Sequence, residues 1–273
     1  MLEHRVLLES PIARVAEVRC PGGHAWSPEE QVGPASVVLV RRGVFFRRAD
    51  GRSALADVTT GYVQLPGQCQ QIAHPVGGDV CTSIGLPVEL AQRFAAAPRL
   101  AVPPAADLAH RRLLAATRTD GRPQPATRTD RGSWPAERTD RCPRLAEPDG
   151  SDLVAELIGA LLPAPDGVSA PAIDDVRALL HTDPTLDLTA LAAAVGWSPW
   201  HLSRVFHRAT GDTINRYRRR LRVRAALDHL PTADNLAGLA AYVGFADQAH
   251  MTRAVRAETG NTPAALRRAL HKQ

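Results

Sequence analysis

The sequence predicts an α+β protein, with short strands in its first third and helices in its last. Three observations predict it. Short segments rich in β-branched and aromatic residues, punctuated by Gly, Pro and Asp, fill residues 1 to about 90. Past Pro87 the apolar residues recur at helical spacing instead. Near the C-terminus one phrase is written twice: GWSPWHLSRVFHRATG from Gly196 to Gly211, and GFADQAHMTRAVRAETG from Gly244 to Gly260.

The strand segments are Arg14 to Cys20, Ala35 to Val40, Gly43 to Arg48, Gly61 to Leu65 and Val80 to Leu86. Many short strands at close spacing predict a small β-barrel or sandwich. Asp50-Gly51, between FFRRA and RSALADV, is a hairpin signal. Helices follow at Glu89 to Ala97, Asp107 to Ala116 and Ser151 to Leu162. Between the last two lies a decamer repeat with Arg-Thr-Asp at 118–120, 128–130 and 138–140. It holds almost nothing apolar and cannot bury a core, so 117–150 reads as a disordered insertion in a helical linker.

From Pro171 the chain reads as one helix after another. Ser198 caps a helix that opens with Pro199 and stops at Thr210-Gly211, the expected order of cap, Pro and Gly. A long helix covers about Thr213 to Leu230, and then the order repeats. Leu188, Leu191, Ala192, Val195 and Gly196 match Leu236, Leu239, Ala240, Val243 and Gly244, all 48 apart. His201, Arg204, Thr210, Gly211 and Thr213 match His250, Arg253, Thr259, Gly260 and Thr262, all 49 apart. Each unit is a short amphipathic helix, a turn that begins with Gly, and a second helix: a helix-turn-helix.

Within the second helices, Leu202, Val205 and Phe206 in one copy and Met251, Ala254 and Val255 in the other are expected to face the core. That leaves Trp200, Ser203, Arg204 and His207, and Gln248, Ala249, Thr252 and Arg253, for the outside. Those side chains suit double-stranded DNA. Arg pairs bidentately with guanine, Gln with adenine, and an apolar group touches a thymine methyl. His201 and His250 lie beside the apolar stripe and are expected to pack. Charge agrees with the placement: residues 170 to 273 hold 14 Lys+Arg against 9 Asp+Glu, whereas residues 1 to 169 hold 19 of each.

These last hundred residues resemble the DNA-binding domain of the AraC/XylS transcription regulators, most closely in AAYVGFADQAHMTRAVRAETGNTPAALRR. The resemblance implies two helix-turn-helix subdomains joined by the helix at about Thr213 to Leu230. It puts base reading on Trp200, Ser203 and Arg204, and on Gln248, Ala249, Thr252 and Arg253. The departures are apolar or at a turn: Val255 and Met251 stand near positions where the family has phenylalanine, and Ile214 stands where the second unit keeps Pro263. Residues 1 to 90 are similar, more distantly, to the cupin-type sensor domain of that family. The expected division is a sensor at 1–90, a linker at 91–169 and a DNA-binding domain at 170–273.

The resemblance implies a small-molecule effector and a homodimer, the latter through the helices at Asp107 to Ala116 and Ser151 to Leu162. Cys20, His24, His74 and Cys81 are residue types that zinc accepts. Their spacing is no metal signature and a paired HxH is missing, so buried cysteines and loop histidines are expected, with no metal and no cofactor. No acid pair, nucleophile elbow or phosphate loop marks an enzyme. The enzyme alternative is a cupin-type metal-dependent catalyst fused to a DNA-binding domain. A DNA-repair protein is a further rival, but Cys20 and Cys69 lack an alkyl-transfer setting. No apolar run suggests a signal peptide or a membrane span, so the expected location is the cytoplasm, away from membranes.

Overall fold

The computed structural model describes residues 3–10, 12–23, 25–94, 99–119, 150–163 and 171–271. Nearly all of the Arg-Thr-Asp repeat, together with His24 and Cys142, lies outside the described residues.

Among the described residues nine strands form the main path of one antiparallel sheet: β1 (Glu3–Glu9), β2 (Arg14–Cys20), β3 (Glu30–Gln31), β4 (Ser36–Arg42), β5 (Val44–Ala49), β6 (Arg52–Asp57), β7 (Thr60–Gln64), β8 (Cys69–Ala73) and β9 (Asp79–Gly85). Their spatial order is β1-β2-β9-β4-β7-β6-β5-β8-β3. The barrel expected from the sequence takes the form of a curled half-barrel, with β1 and β3 as its ends. Asp50 and Gly51 both have positive φ (49° and 76°), and Ala49 pairs with Arg52 across them. That is the two-residue hairpin the Asp-Gly signal predicts.

Two short strands, β10 (Leu100–Ala101) and β11 (Leu162–Pro163), attach beside the start of β7. The helices are α1 (Val88–Gln92), α2 (Pro104–Thr119), α3 (Gly150–Ala160), α4 (Pro171–Thr182), α5 (Leu188–Ala194), α6 (Pro199–Thr210), α7 (Ile214–His229), α8 (Leu236–Tyr242), α9 (Gln248–Thr259) and α10 (Pro263–His271).

Both faces of β4 are buried, which explains why it reads as a continuous apolar run rather than an alternation. Val15, Val37, Leu39 and Ile84 pack with Leu113 of α2 and Leu157 of α3. On the opposite face Val38, Val40, Phe45, Ala56, Tyr62 and Cys81 form the inner core of the curl. The apolar faces of α2 and α3 are therefore covered by the chain's own sheet. These two helices were expected to serve as a linker and to dimerise, and here they are part of the first core. Their stripe suits a sheet as well as it suits a partner helix, and the sequence pattern cannot tell the two apart.

The C-terminal helices enclose two cores. One holds Ile173, Val176, Leu191, Leu202, Phe206 and Tyr217, the other Val223, Leu227, Leu239, Phe245, Met251 and Val255. Helix α7 belongs to both, through Tyr217 near its start and Val223 and Leu227 near its end. It is the single rod on which the two helix pairs are set.

Candidate nucleic-acid interface

The doubled phrase folds into doubled geometry. Asp187 and Asn235 cap α5 and α8, their side chains accepting from the amides of Ala190 and Gly238 at 2.7 and 2.6 Å. Gly196 and Gly244 then turn the chain with φ of 70° and 81°, a backbone that side-chain-bearing residues avoid. Ser198 and Asp247 cap α6 and α9 by accepting from the amides of His201 and His250, at 3.2 and 2.6 Å. Trp197 meets His201 edge-on at 4.7 Å between ring centroids, and Phe245 meets His250 the same way at 5.2 Å. Both histidines are spent on packing, as expected from their place beside the apolar stripe.

The buried side of α6 is Leu202 and Phe206, with Val205 half-buried, and that of α9 is Met251, Ala254 and Val255. Opposite them, Trp200, Ser203, Arg204 and His207 are exposed on α6. Gln248, Ala249 and Arg253 are exposed on α9, where Thr252 is half-buried. Trp200 is 67% exposed, unusual for so large an apolar side chain. The Arg204 guanidinium lies 4.5 Å from the centre of its indole ring. That stack, absent from the sequence reading, holds the Arg204 side chain in place without neutralising it. Among the described residues neither Arg204 nor Arg253 has a carboxylate within ion-pair distance, and the same holds for Arg208, Arg256, Arg267 and Arg268.

Other arginines of this region point inward and are paired. Arg177 reaches Asp57 at 2.8 Å and Asp174 at 3.0 Å. Arg220 reaches Asp212 at 2.6 Å and Glu258 at 3.2 Å. Arg224 reaches Asp107 at 2.5 Å. Neutral pairs inside leave the positive surplus to the outward face.

Two of these clusters tie the helices to the sheet. Asp57, fully buried at the β6–β7 turn, accepts from Thr59 N at 2.8 Å, Thr59 Oγ1 at 2.7 Å and the Tyr217 hydroxyl of α7. Burial alone would raise its carboxyl. Arg177, helped by His181 and Tyr217, overrides burial and holds it well below the usual range. Asp174 of α4 accepts from Arg99 at 2.5 Å and from the Leu55 amide of β6 at 3.1 Å. In the second cluster Asp228 of α7 meets Arg42 of β4, Arg41 at 3.3 Å and Arg111 of α2 at 3.7 Å. Burial lowers Arg111 and Arg224 to about 10 each. Nothing in the sequence marked these residues, because no local pattern separates a buried arginine from a solvated one.

The zinc-type candidates divide. Cys20 and His74 come together with Asp79, which the sequence reading missed, at the end of the β2–β9 pair, and the Cys81 thiol donates to Asp79.

Comparison with known proteins fits the geometry. Residues 191–269 match the family model described as a helix-turn-helix domain. The chain is 31% identical over 91 residues to the regulatory protein SoxS of Salmonella typhimurium, covering 33% of this chain and 85% of SoxS. The chain belongs to the AraC family of transcription regulators. It is also 37% identical over 89 residues to the right origin-binding protein of Escherichia coli K12, covering 32% of this chain and 31% of that protein. The match thus spans about a third of that larger relative. A solved AraC-type transcriptional regulator from Chromobacterium violaceum covers 37% of this chain and 92% of its own at 22% identity and a TM-score of 0.35. Family membership thus rests on the C-terminal hundred residues, the part that carries both helix-turn-helix units.

Proposed function

We propose that this AraC-family chain is a cytoplasmic, sequence-specific transcription regulator that reads double-stranded promoter DNA with α6 and α9. One observation carries the reading: two equally capped helices on one rod present Trp200, Ser203, Arg204 and His207, and Gln248, Ala249, Thr252 and Arg253, to the outside. Arginines beside them, without a carboxylate partner among the described residues, supply the charge for phosphate. Two units on one chain read successive major-groove faces, about 34 Å apart, without a second subunit. The names of the curated relatives support regulation over catalysis.

The proposed division is a sensor built from residues 1–90 with the helices of 91–169 packed on it, and a DNA-binding domain at 170–273. A small-molecule effector is supported by a cavity of about 320 Å³ where β6 and β7 diverge, lined by Arg47, Leu55, Tyr62, Gln68 and Arg99. A homodimer would use a surface other than the buried stripes of α2 and α3.

The test is selection from random oligonucleotides with the full chain at a fixed salt concentration. Enrichment of a site with two blocks one helical turn apart is the expected result. Salt-sensitive binding with no enriched sequence rejects α6 and α9 as readers.

A further inference from the structure

We infer that Cys20, His74, Asp79 and Cys81 form a binding site for one divalent metal ion, with zinc the best chemical fit. The inference does not depend on the DNA-binding reading. One ligand atom from each of Cys20, His74 and Asp79 lies within 4.8 Å of the other two. The Cys81 thiol stands outside that mutual distance but donates to Asp79 Oδ2 at 2.9 Å, and it is the fourth donor the inference adds. His74 Nε2 stands 2.5 Å from Asp79 Oδ1, so the carboxylate already gathers an imidazole and a thiol around itself.

The backbone is built to hold this set. Cys20 and Asp79 are direct partners across the β2–β9 ladder, and Cys81 lies two residues along β9, on the same face as Asp79. The loop that delivers His74 is laced to the loop after Cys20, the His74 amide donating to the Gly23 carbonyl at 3.0 Å. A Cβ on Gly78 would stand 2.1 Å from the Cys20 carbonyl oxygen, and one on Gly22 would stand 2.2 Å from that of Gly77. Side chains at either position would force the two loops, and the donors they carry, apart.

The chemistry of the donors favours zinc. Two sulfurs, one imidazole nitrogen and one carboxylate oxygen are a donor set of mixed softness, the kind zinc takes in tetrahedral coordination. His74, Asp79 and Cys81 are buried and Cys20 is half-buried. Beside Cys20 and Asp79 a cleft of about 520 Å³, bordered by Arg19 and Arg42, opens to solvent and offers a way in. Cysteines ligate as thiolates, so uptake of the ion is coupled to proton release. Four protein ligands leave no open position, which makes this a structural or sensing centre rather than a hydrolytic one.

The test uses the full chain, reduced and stripped of metal, titrated with Co²⁺ and then with Zn²⁺. The expected result is one Co²⁺ per chain with tetrahedral visible bands and a thiolate-to-cobalt charge-transfer band, displaced by one equivalent of Zn²⁺. Cys20→Ser and Cys81→Ser should each reduce the charge-transfer band by half. Each should weaken zinc binding by more than the roughly 10–100-fold typical of losing an outer-shell partner. Exposed Cys69 serves as the control, and Cys69→Ser should bind as wild type does. An octahedral cobalt spectrum, or undiminished binding by the Cys20 and Cys81 variants, overturns the site. X-ray absorption on the zinc-loaded wild type decides the matter if those variants fail to fold. Two sulfurs and two lighter atoms support the site, and a first shell of oxygen and nitrogen alone refutes it.

Discussion

Arg177→Met asks whether the DNA-binding helices are docked on the sheet by buried charge. Arg177 is 2% exposed and meets Asp57, Asp174, Thr60 and Tyr217 at 2.8, 3.0, 3.0 and 3.1 Å. Removing one partner of a buried ion pair costs about 3–5 kcal/mol, because the remaining charge is stranded. Asp57 would keep its bonds from Thr59 and Tyr217, and Asp174 would keep Arg99 and the Leu55 amide. Those survivors place the loss at the lower end, about 3 kcal/mol. With an m-value of roughly 2–3 kcal/mol per molar urea, the midpoint should fall by about 1–1.5 M. Acid stability supplies a second readout. The Asp57 carboxyl is held low in the folded state, so its contribution is complete above about pH 3.9 and is lost only as pH falls through the lower folded value. In the variant, burial acts without the opposing Arg177 charge, the carboxyl rises, and acid unfolding should begin at higher pH. A loss under 1 kcal/mol with an unchanged acid limb would refute the docking. Adding Asp57→Asn to Arg177→Met should recover about 0.5–3 kcal/mol through the coupling of the pair.

Arg204→Ala and Arg253→Ala should each cost about 1–3 kcal/mol of specific DNA binding and relax base preference at one position, read by titration on the selected site. Asp247→Ala should cost about 1 kcal/mol of stability by leaving the His250 amide uncapped, measured by denaturation. His110 is buried against Thr82, and burial, with the Arg41 and Arg111 charges, lowers it to about 3. Its unfolded value is about 6.5, so the unfolded chain takes up the proton first, and stability is complete above about pH 6.5 and falls below it. His110→Gln should remove about 1.4 kcal/mol per pH unit of that decline between roughly pH 6.5 and 5, measured by denaturation across that range.

What the sequence disclosed depends on how local the cause is. Cap, turn and C-terminal glycine lie within a few residues of one another, so both helix-turn-helix units could be bounded to within a residue or two. Their outward face followed from helical period alone. Strands β1 and β8 were missed because their apolar content is thin, with Glu, His and Arg in one and Gln-Gln in the other. The packing of α2 and α3 on the sheet was not legible because an apolar stripe does not say what covers it. Asp79 escaped because metal spacing was sought along the chain. The donors instead meet across a strand pair, from positions 20 and 79.

The contact between the C-terminal helices and the sheet is built mostly from charge, and that bears on regulation. Its apolar share is small, Ala178 of α4 against Val44 and Leu55. Buried ion pairs add little net stability over an apolar contact of the same size, but they fail sharply when one member is taken away. Arg99 both lines the cavity between β6 and β7 and pairs with Asp174 of α4. Under the proposed function, an anionic effector that draws Arg99 toward the cavity competes directly with Asp174 for its guanidinium. The effect on promoter binding can be no larger than the effector's preference for the undocked over the docked state. Each tenfold change in occupancy requires about 1.4 kcal/mol of that preference. Loss of one charge-assisted hydrogen bond, about 1.5–3 kcal/mol, is enough for the first tenfold. Arg99→Met should then lower or abolish effector dependence while leaving the intrinsic recognition of the selected DNA site by α6 and α9 intact. Equal effector response in Arg99→Met and wild type would move the coupling elsewhere, and the Arg42–Asp228 pair of β4 and α7 would be the next contact to break.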